Sequence, residues 1–234
     1  TSAALVGRKA AARCVSDIAA MGGGPMQATV AIALPGKTEV KWVDDLYSGI
    51  LTLGDEYGFG VCGGETSRCD GPRAIIVSML GRVAVRDVVR RSGGREGDRL
   101  YVTGCLGGSF GSGRHLTFVP RVREAKWLVE NVRPTAMMDL SDGLAADLPR
   151  LAKASGVGFS LWRDRLPLHE GITPEAGLSD GEDYELLFAA DPARLPDPFA
   201  WAEAFPGLPL TEIGLLTKPG EGDSLSEHGY HHFA

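Results

Sequence analysis

The segment Asp139–Gly143 (Asp-Leu-Ser-Asp-Gly) places two carboxylates and a hydroxyl at a predicted strand-to-helix turn. We expect a short strand over 135–138 to end at Asp139, and Ser141 to cap a helix with Asp142 in its first turn. Carboxylate oxygens suit hard cations, and helix N-termini bind phosphate. Alternatively, Ser141 and Asp142 only stabilise the start of the helix, but this leaves Asp139 on an apolar strand unexplained.

Two other segments offer similar chemistry. Asp17 lies in a predicted helix of small residues, where a lone Asp is most often a solvated surface group, although small neighbours let a ligand approach closely. The segment Gly63–Thr66 is predicted to be a glycine-rich loop with backbone amides, a carboxylate and a hydroxyl, although a plain turn would use the same glycines. Taken together, these acidic groups indicate several metal ions that hold a polyphosphate, with catalysis by positioning and charge neutralisation.

The composition and the missing motifs exclude several other classes of function. The 234 residues carry a formal net charge of −6 and no cluster of Lys and Arg, so a nucleic-acid partner is not expected. GxxxxGK[ST], the HRD and DFG motifs and HExxH are absent. The four cysteines lack zinc-site spacing, and no apolar run approaches the roughly 18 residues that span a bilayer. We therefore expect a cytoplasmic protein with no membrane partner.

The predicted elements form a mixed α/β (α+β) arrangement in two domains, residues 1–93 and 94–234. The first domain holds a helix over 4–21, a strand over 27–34, a helix from Thr38 that ends at Gly54 or shortly after Tyr57, a strand over 60–62 and a buried strand over 74–80. Residues 90–98 are predicted to connect the domains. The second domain holds strands over 100–104, 135–138 and 186–188, a helix over 120–132, and a helix with the apolar stripe Leu144, Leu148 and Leu151.

Six segments occur in an order that resembles the thiamine-monophosphate kinase family, of the superfamily that includes aminoimidazole ribonucleotide synthetase. They are Ser16–Gly22, Gly63–Thr66, Arg91–Gly93, Gly97–Gly104, Asp139–Leu144 and Gly181–Leu187. The resemblance implies an ATP- and magnesium-binding N-terminal domain, incomplete here, and an α+β C-terminal domain that completes the site. It also implies a homodimer and in-line transfer of the γ-phosphate of ATP to thiamine monophosphate, without a covalent catalytic residue.

The same resemblance implies roles for individual residues. The Mg²⁺ ligands would be Asp17, Glu65, Asp139 and Asp142. The ATP contacts would be Tyr47, Gly64, Glu65, Arg91 and Ser141. The thiamine substrate would contact Glu182 and Tyr230, because a carboxylate suits a cationic substrate and an aromatic ring suits a flat one.

The chain departs from the family pattern in three places. The Gly-Asp-Asp segment that normally opens the family is not in this sequence, so we expect residues 1–234 alone to be inactive. Glu65 replaces the usual Asp, which moves the carboxylate about one bond further out, and Ser179–Glu182 replaces a Gly-Gly-Glu turn. Two alternatives remain open at this point. One is a sibling ATP-dependent enzyme, such as a ligase that acts on a purine intermediate, and the other is a non-catalytic nucleotide-binding relative.

Overall fold

In the computed structural model, which describes residues 1–225, the first third of the chain forms a three-stranded sheet beside two long helices. The elements are α1 (Ala3–Ala20), β1 (Gly24–Pro35), α2 (Val40–Tyr57), β2 (Gly60–Cys69) and β3 (Ala74–Arg82). The strand order is β2-β1-β3, with β2 parallel and β3 antiparallel to β1. The helices predicted over 4–21 and from Thr38, and the strand predicted over 27–34, are confirmed.

Helix α1 lies at the centre of the molecule because its alanines allow close packing on several sides. Ser2 caps it, accepting a hydrogen bond of 3.3 Å from the amide of Leu5. One face packs against the sheet and α2 in an apolar cluster that includes Ala11, Ala12, Val15, Val30, Ile32, Leu46 and Ile50. The end of α1, Ala19 and Ala20, packs instead with residues of the second half of the chain. Because α1 packs against both halves of the chain, its turn with Ser16 and Asp17 lies next to the second sheet.

Two predictions for this half are wrong. Gly63–Thr66 is part of strand β2, because parallel pairing with Thr29–Ile32 of β1 outweighs the turn preference of its glycines. Residues 74–80 form a strand that is not buried on both faces: Ile75, Val77 and Met79 face the apolar cluster, whereas Ile76 is 62% and Leu80 69% exposed.

The remainder of the chain forms an antiparallel five-stranded sheet with strand order β5-β7-β4-β8-β6. The strands are β4 (Arg99–Thr103), β5 (Ala136–Asp139), β6 (Gly158–Leu161), β7 (Leu186–Ala190) and β8 (Leu210–Thr217). The helices are α3 (Ser109–Ser112), α4 (Val122–Asn131), α5 (Leu144–Ser155), α6 (Pro174–Ser179) and α7 (Pro198–Ala204). The predicted strands over 100–104, 135–138 and 186–188 and both predicted helices are confirmed, whereas sequence reasoning missed β8, α3, α6 and α7.

The two faces of this sheet pack against different partners. Met138 and Leu187 face α5 and its leucine stripe, whereas Met137 and Phe188 face α4, α7 and the end of α1. Because side chains alternate along a strand, Asp139 lies on the same face as Met137 and therefore points towards α1. This alternation positions the predicted acidic group.

The connection between the sheets, residues 83–98, contains only a single 3₁₀ turn at Val85–Asp87. The predicted domain boundary at residues 93 and 94 falls inside it and remains a prediction. None of the helices within residues 1–225 combines the length and the apolarity needed to cross a bilayer.

Candidate active site

The Asp139 carboxylate, at the end of β5, is held against α1. Ser16 donates its hydroxyl to Oδ2 of Asp139 over 2.5 Å, and the Asp139 residue is only 6% exposed. Since these two residues are 123 positions apart in the chain, this hydrogen bond joins the first helix to the second sheet. The structure thereby brings together two of the segments that the sequence singled out.

Both acids at this junction have raised pKa values. Burial raises the pKa of Asp139 to about 6; the Ser16 hydroxyl opposes this shift and the neighbouring Asp17 carboxylate adds to it. Although Asp17 is more exposed, desolvation also raises its pKa, against the lowering effect of Arg13 and Arg91. Two adjacent carboxylates that disfavour each other's charge provide oxygen donors that a divalent cation would neutralise. The acid pair thus fits a magnesium ion.

The turn after β5 is built differently from the prediction. Helix α5 begins at Leu144 with Gly143 as its N-cap, and no side chain caps it at that position. Ser141 is therefore not the cap, and Asp142 lies before the first turn. Instead the fully buried Asp147, inside α5, accepts hydrogen bonds of 3.0 Å from the amides of both Ser141 and Asp142. These two amides are consequently not available to a phosphate.

Asp142 has a cationic partner in this structure. Arg150 donates to Asp142 over 2.5 Å and to Asp147 over 2.8 Å. The guanidinium is 43% exposed, so it neutralises Asp142 at the surface of the turn. Sequence reasoning missed both Asp147 and Arg150, although their i,i+3 spacing within α5 is typical of a helical ion pair.

The segment 180–185 is fastened to this turn through its backbone. The amide of Glu182 donates to the carbonyl of Ser141, and the amide of Tyr184 donates to the carbonyl of Leu140, both over 2.8 Å. Glu182 and Tyr184 have φ values of 65° and 53°, a left-handed conformation that residues with side chains rarely adopt. Tyr184 also stacks on Phe118 with 3.9 Å between ring centroids. The Asp139–Gly143 turn and the 180–185 segment are therefore joined into one structural unit by backbone hydrogen bonds.

Glycine is required where these segments meet. Gly143 has a φ of 98°, and a Cβ atom there would lie 3.0 Å from the carbonyl oxygens of three residues of the 178–180 segment. A Cβ at Gly181 would lie 2.7 Å from the Ser141 carbonyl oxygen. The Asp-Gly and Gly-Glu pairs of the two motifs are explained by this close backbone approach.

A cleft of about 410 Å³ opens over this unit. Its lining residues are Arg13, Phe110, Ser141, Asp142, Gly181, Glu182 and Tyr184. It thus unites the predicted ATP contact Ser141, the predicted metal ligand Asp142 and the predicted substrate contact Glu182. Arg13 was not predicted; it lies one helical turn from Asp17 on the same face of α1.

Other predicted site residues lie elsewhere. Arg91 is close enough to Asp17 to lower its pKa. Glu65 is exposed on β2, in register with Ala31 and therefore on the sheet face opposite Val30, which packs in the apolar cluster with the helices. Gly64, in register with Val30, is also exposed. Tyr47, in α2, is partly buried at the edge of the apolar cluster between the first sheet, α1 and α2. Tyr230 lies outside the described residues.

The four predicted metal ligands do not form one cluster. Across residues 1–225 no group of three or more His, Cys, Asp or Glu side chains has metal-binding geometry. Asp17 and Asp139 lie together, Asp142 is paired with Arg150, and Glu65 lies on the other side of the first sheet. The metal-binding roles of these residues remain predictions.

A second polar region lies on the opposite side of the 180–185 segment. Glu185 is 6% exposed and accepts from Thr103 over 2.6 Å and from Nε of Arg121 over 2.7 Å, with a further short bond to Arg121 Nη2. Burial raises the pKa of neighbouring Asp183 to about 7, despite bonds from the Gly107 amide. Side chains alternate in direction along this segment. Glu182 and Tyr184 line the cleft, whereas Asp183 and Glu185 line a second cavity of about 210 Å³.

We expect Asp147→Ala to lower the free energy of unfolding by about 2–3 kcal/mol, because two backbone amides and Arg150 lose a charged acceptor. Asp147→Asn should keep most of this stability, since one amide oxygen can still accept from both Ser141 and Asp142. Urea unfolding of the two variants, with exposed Asp55→Ala as control, measures the difference. Equal stability of Asp147→Ala and the parent protein would contradict the positioning role.

Comparison with known proteins links this geometry to one group of proteins. Residues 1–83 match the family described as AIR synthase related protein, N-terminal domain, and residues 113–225 match the corresponding C-terminal domain. The thiamine-monophosphate kinase of Rhodopirellula baltica is 40% identical over 223 residues, covering 90% of this chain and 68% of that protein.

Solved structures give the same grouping. The crystal structure of thiamine-monophosphate kinase from Stenotrophomonas maltophilia K279a is 29% identical, with a TM-score of 0.85 and coverage of 97% of this chain and 81% of that one. A structure described as AaThiL complexed with AMPPCP and TMP is 30% identical, with a TM-score of 0.83 and coverage of 100% and 82%.

Proposed function

Since the chain belongs to the thiamine-monophosphate kinase family of AIR synthase related proteins, we propose that it transfers the γ-phosphate of ATP to thiamine monophosphate, giving thiamine diphosphate and ADP. The observation that carries this proposal is the union of the Asp139–Gly143 turn, the Glu182 segment and α1 around one cleft, in a fold shared with a neighbour complexed with AMPPCP and TMP.

In this proposal the protein acts by positioning. Ser141 contacts the nucleotide from the turn, while Asp147 and the backbone of segment 180–185 keep that turn in place. Arg91, beside Asp17, and Tyr47 and Gly64 of the first domain would contact the nucleotide as well. Glu182 orients the cationic thiamine substrate, with Tyr230 of the terminal segment as a further contact. The acceptor is an existing phosphate, so no protein side chain needs to form a covalent intermediate.

The transfer is proposed to depend on Mg²⁺. Asp17 and Asp139 would hold one ion, and Asp142 and Glu65, which lie apart from this pair, would contact further ions. When bound, these ions would neutralise the charge of the phosphates. The buried Asp139 is suited to this role because its carboxylate lacks a cationic side chain within hydrogen-bonding distance among the described residues. Asp142 would have to exchange Arg150 for the ion.

The test is ADP release by the complete gene product with ATP, Mg²⁺ and either thiamine monophosphate or a purine intermediate. We expect ADP only with thiamine monophosphate, together with thiamine diphosphate in equal amount. Turnover with the purine intermediate alone would favour the sibling ligase. Binding of AMPPCP without turnover of either compound would favour a non-catalytic relative.

We also propose that the protein is a homodimer that acts in the cytoplasm. The first sheet exposes Ile76 and Leu80 on the face that points away from α1, and both of its edge strands, β2 and β3, are open within the described chain. A second copy would cover this apolar surface. All four cysteines are free thiols, which suits a reducing compartment.

We expect Ile76→Glu to shift the protein from dimer to monomer in light scattering after size-exclusion chromatography, because a charge would be buried at the interface. Val85→Glu, at a 93% exposed position beyond the sheet, serves as the control. A monomer before substitution, or a dimer that Ile76→Glu leaves intact, would rule out this surface.

A further inference from the structure

An ion pair joins the first helix to the segment that presents Glu182. Nζ of Lys9 lies 2.7 Å from Oε1 and 2.6 Å from Oε2 of Glu182, although the residues are 173 positions apart. The Lys9 side chain is 19% exposed and that of Glu182 30% exposed. The pair therefore lies at the border of the cleft, partly within reach of solvent and of a ligand.

Structural stabilisation does not fully account for this pair. Ion pairs between partly exposed side chains contribute little to stability. Glu182 has a φ of 65°. For a residue with a side chain, this left-handed conformation is destabilising by more than such an ion pair stabilises the fold. The conformation persists because Ser141 and Ser109 hold the Glu182 backbone, by bonds of 2.8 and 2.7 Å. Backbone held in a rarely populated conformation occurs most often where a ligand is bound.

Each charge of the Lys9–Glu182 pair is complementary to one charge of the proposed substrate. Thiamine monophosphate carries a cationic ring and an anionic phosphate, and Glu182 is the group proposed to meet the cation. Once it does so, the Lys9 ammonium loses its partner. Lysine has a long flexible stem and three donors, so its head can turn from a carboxylate to a phosphate without movement of the helix.

The next turn of α1 carries a second cationic side chain that faces the cleft. Positions 9, 13 and 17 share one face of a helix, and Arg13 lines the cleft beside Glu182 and Asp142. Arg13 forms no ion pair with any residue in the range 1–225. A phosphate bound in the cleft beside Glu182 would therefore meet two cationic side chains from α1, followed by the acid pair proposed to hold Mg²⁺.

We propose that Lys9 is a substrate-specificity residue that exchanges the Glu182 carboxylate for the phosphate of thiamine monophosphate when the cationic ring of the substrate occupies Glu182. This inference rests on the proposed function. It explains how the site distinguishes the monophosphate from thiamine itself, which offers the cation but no anion. Lys9 thus selects for the phosphate group of the acceptor.

The test compares the binding of thiamine monophosphate, thiamine and AMPPCP by calorimetry, with the complete gene product and its Lys9→Met variant. We expect Lys9→Met to weaken thiamine monophosphate binding by about 10- to 100-fold, the range for loss of a charge-assisted hydrogen bond. Thiamine affinity should stay unchanged or increase, because Glu182 is no longer paired, and AMPPCP affinity should not change. Lys9→Arg should retain most of the preference, and Lys126→Met, 75% exposed on α4, is the matched control.

Other outcomes overturn the inference. Equal weakening of thiamine monophosphate and thiamine would show that Lys9 only fixes the Glu182 segment, and weakening of AMPPCP alone would assign Lys9 to the nucleotide. Lys9→Gln, measured in the same way, decides the case if the Met variant does not fold. If the unsubstituted protein binds neither thiamine compound, the proposed function itself is wrong. If it binds both and the variants leave their ratio unchanged, only the role of Lys9 is wrong.

Discussion

Asp139→Asn is expected to abolish phosphate transfer while making the metal-free protein more stable at neutral pH. The loss of activity, at least about 100-fold, follows if the buried carboxylate holds the metal that neutralises the phosphates. The gain in stability follows from its burial beside Asp17. Asparagine keeps an oxygen that can accept from Ser16, but it carries no charge, so the repulsion between the two acids disappears.

The sign of the stability change comes from the pKa of Asp139, which is about 6 in the folded protein and near 4 in an unfolded chain. The folded state therefore binds more protons between these values, and stability falls as the pH rises from about 4 to about 6. Above pH 6 the ionised, buried carboxylate lowers the free energy of unfolding by about 3 kcal/mol. Asparagine removes this pH dependence.

Thermal unfolding between pH 4.5 and 7.5 without Mg²⁺, together with ADP release with Mg²⁺, measures both effects. Exposed Asp164→Asn is the control. Added Mg²⁺ should raise the melting temperature of the unsubstituted protein more than that of Asp139→Asn, since a ligand stabilises only the state that binds it. An active Asp139→Asn variant, or one that is less stable than the parent at pH 7.5, contradicts this account of the acid pair.

Arg121→Met is expected to cost about 3–5 kcal/mol of stability, the typical penalty for leaving a buried carboxylate without its cation. Glu185 is 6% exposed and its bonds come from Arg121 and Thr103. Because Glu185 directly follows Tyr184 in the segment that carries Glu182, we also expect a higher KM for thiamine monophosphate. Urea unfolding and steady-state kinetics give the two measurements.

A double variant separates charge burial from packing. Arg121→Met combined with Glu185→Met removes both charges, and its stability should return to within about 2 kcal/mol of the parent protein. Arg123→Met, at an exposed position in the first turn of α4, is the matched control. A double variant as unstable as Arg121→Met would mean that the side-chain packing of Arg121, rather than an unpaired charge, carries the effect.

Most local elements and the chemical character of the site could be predicted from the order of the residues alone. The alanine-rich α1, the apolar period of α2 and the strand that ends at Asp139 follow from patterns a few residues long, which short-range packing and propensity control. The ordered motifs also led to the correct family. Each of these signals lies within one stretch of chain.

Which side chains contact each other could not be predicted from the sequence, because these contacts join distant parts of the chain. The Ser16–Asp139 bond, the Lys9–Glu182 pair and the Arg121–Glu185 pair join residues 123, 173 and 64 positions apart. The sequence misplaced Gly63–Thr66 because strand pairing depends on a neighbour that glycine propensity does not reveal. It also misassigned the cap of α5, because Gly143 must adopt a positive φ against residues 178–180, a contact fixed only when the two segments fold together. Long-range contacts of this kind, rather than residue type, place the Asp139–Gly143 turn and the Glu182 segment around one cleft.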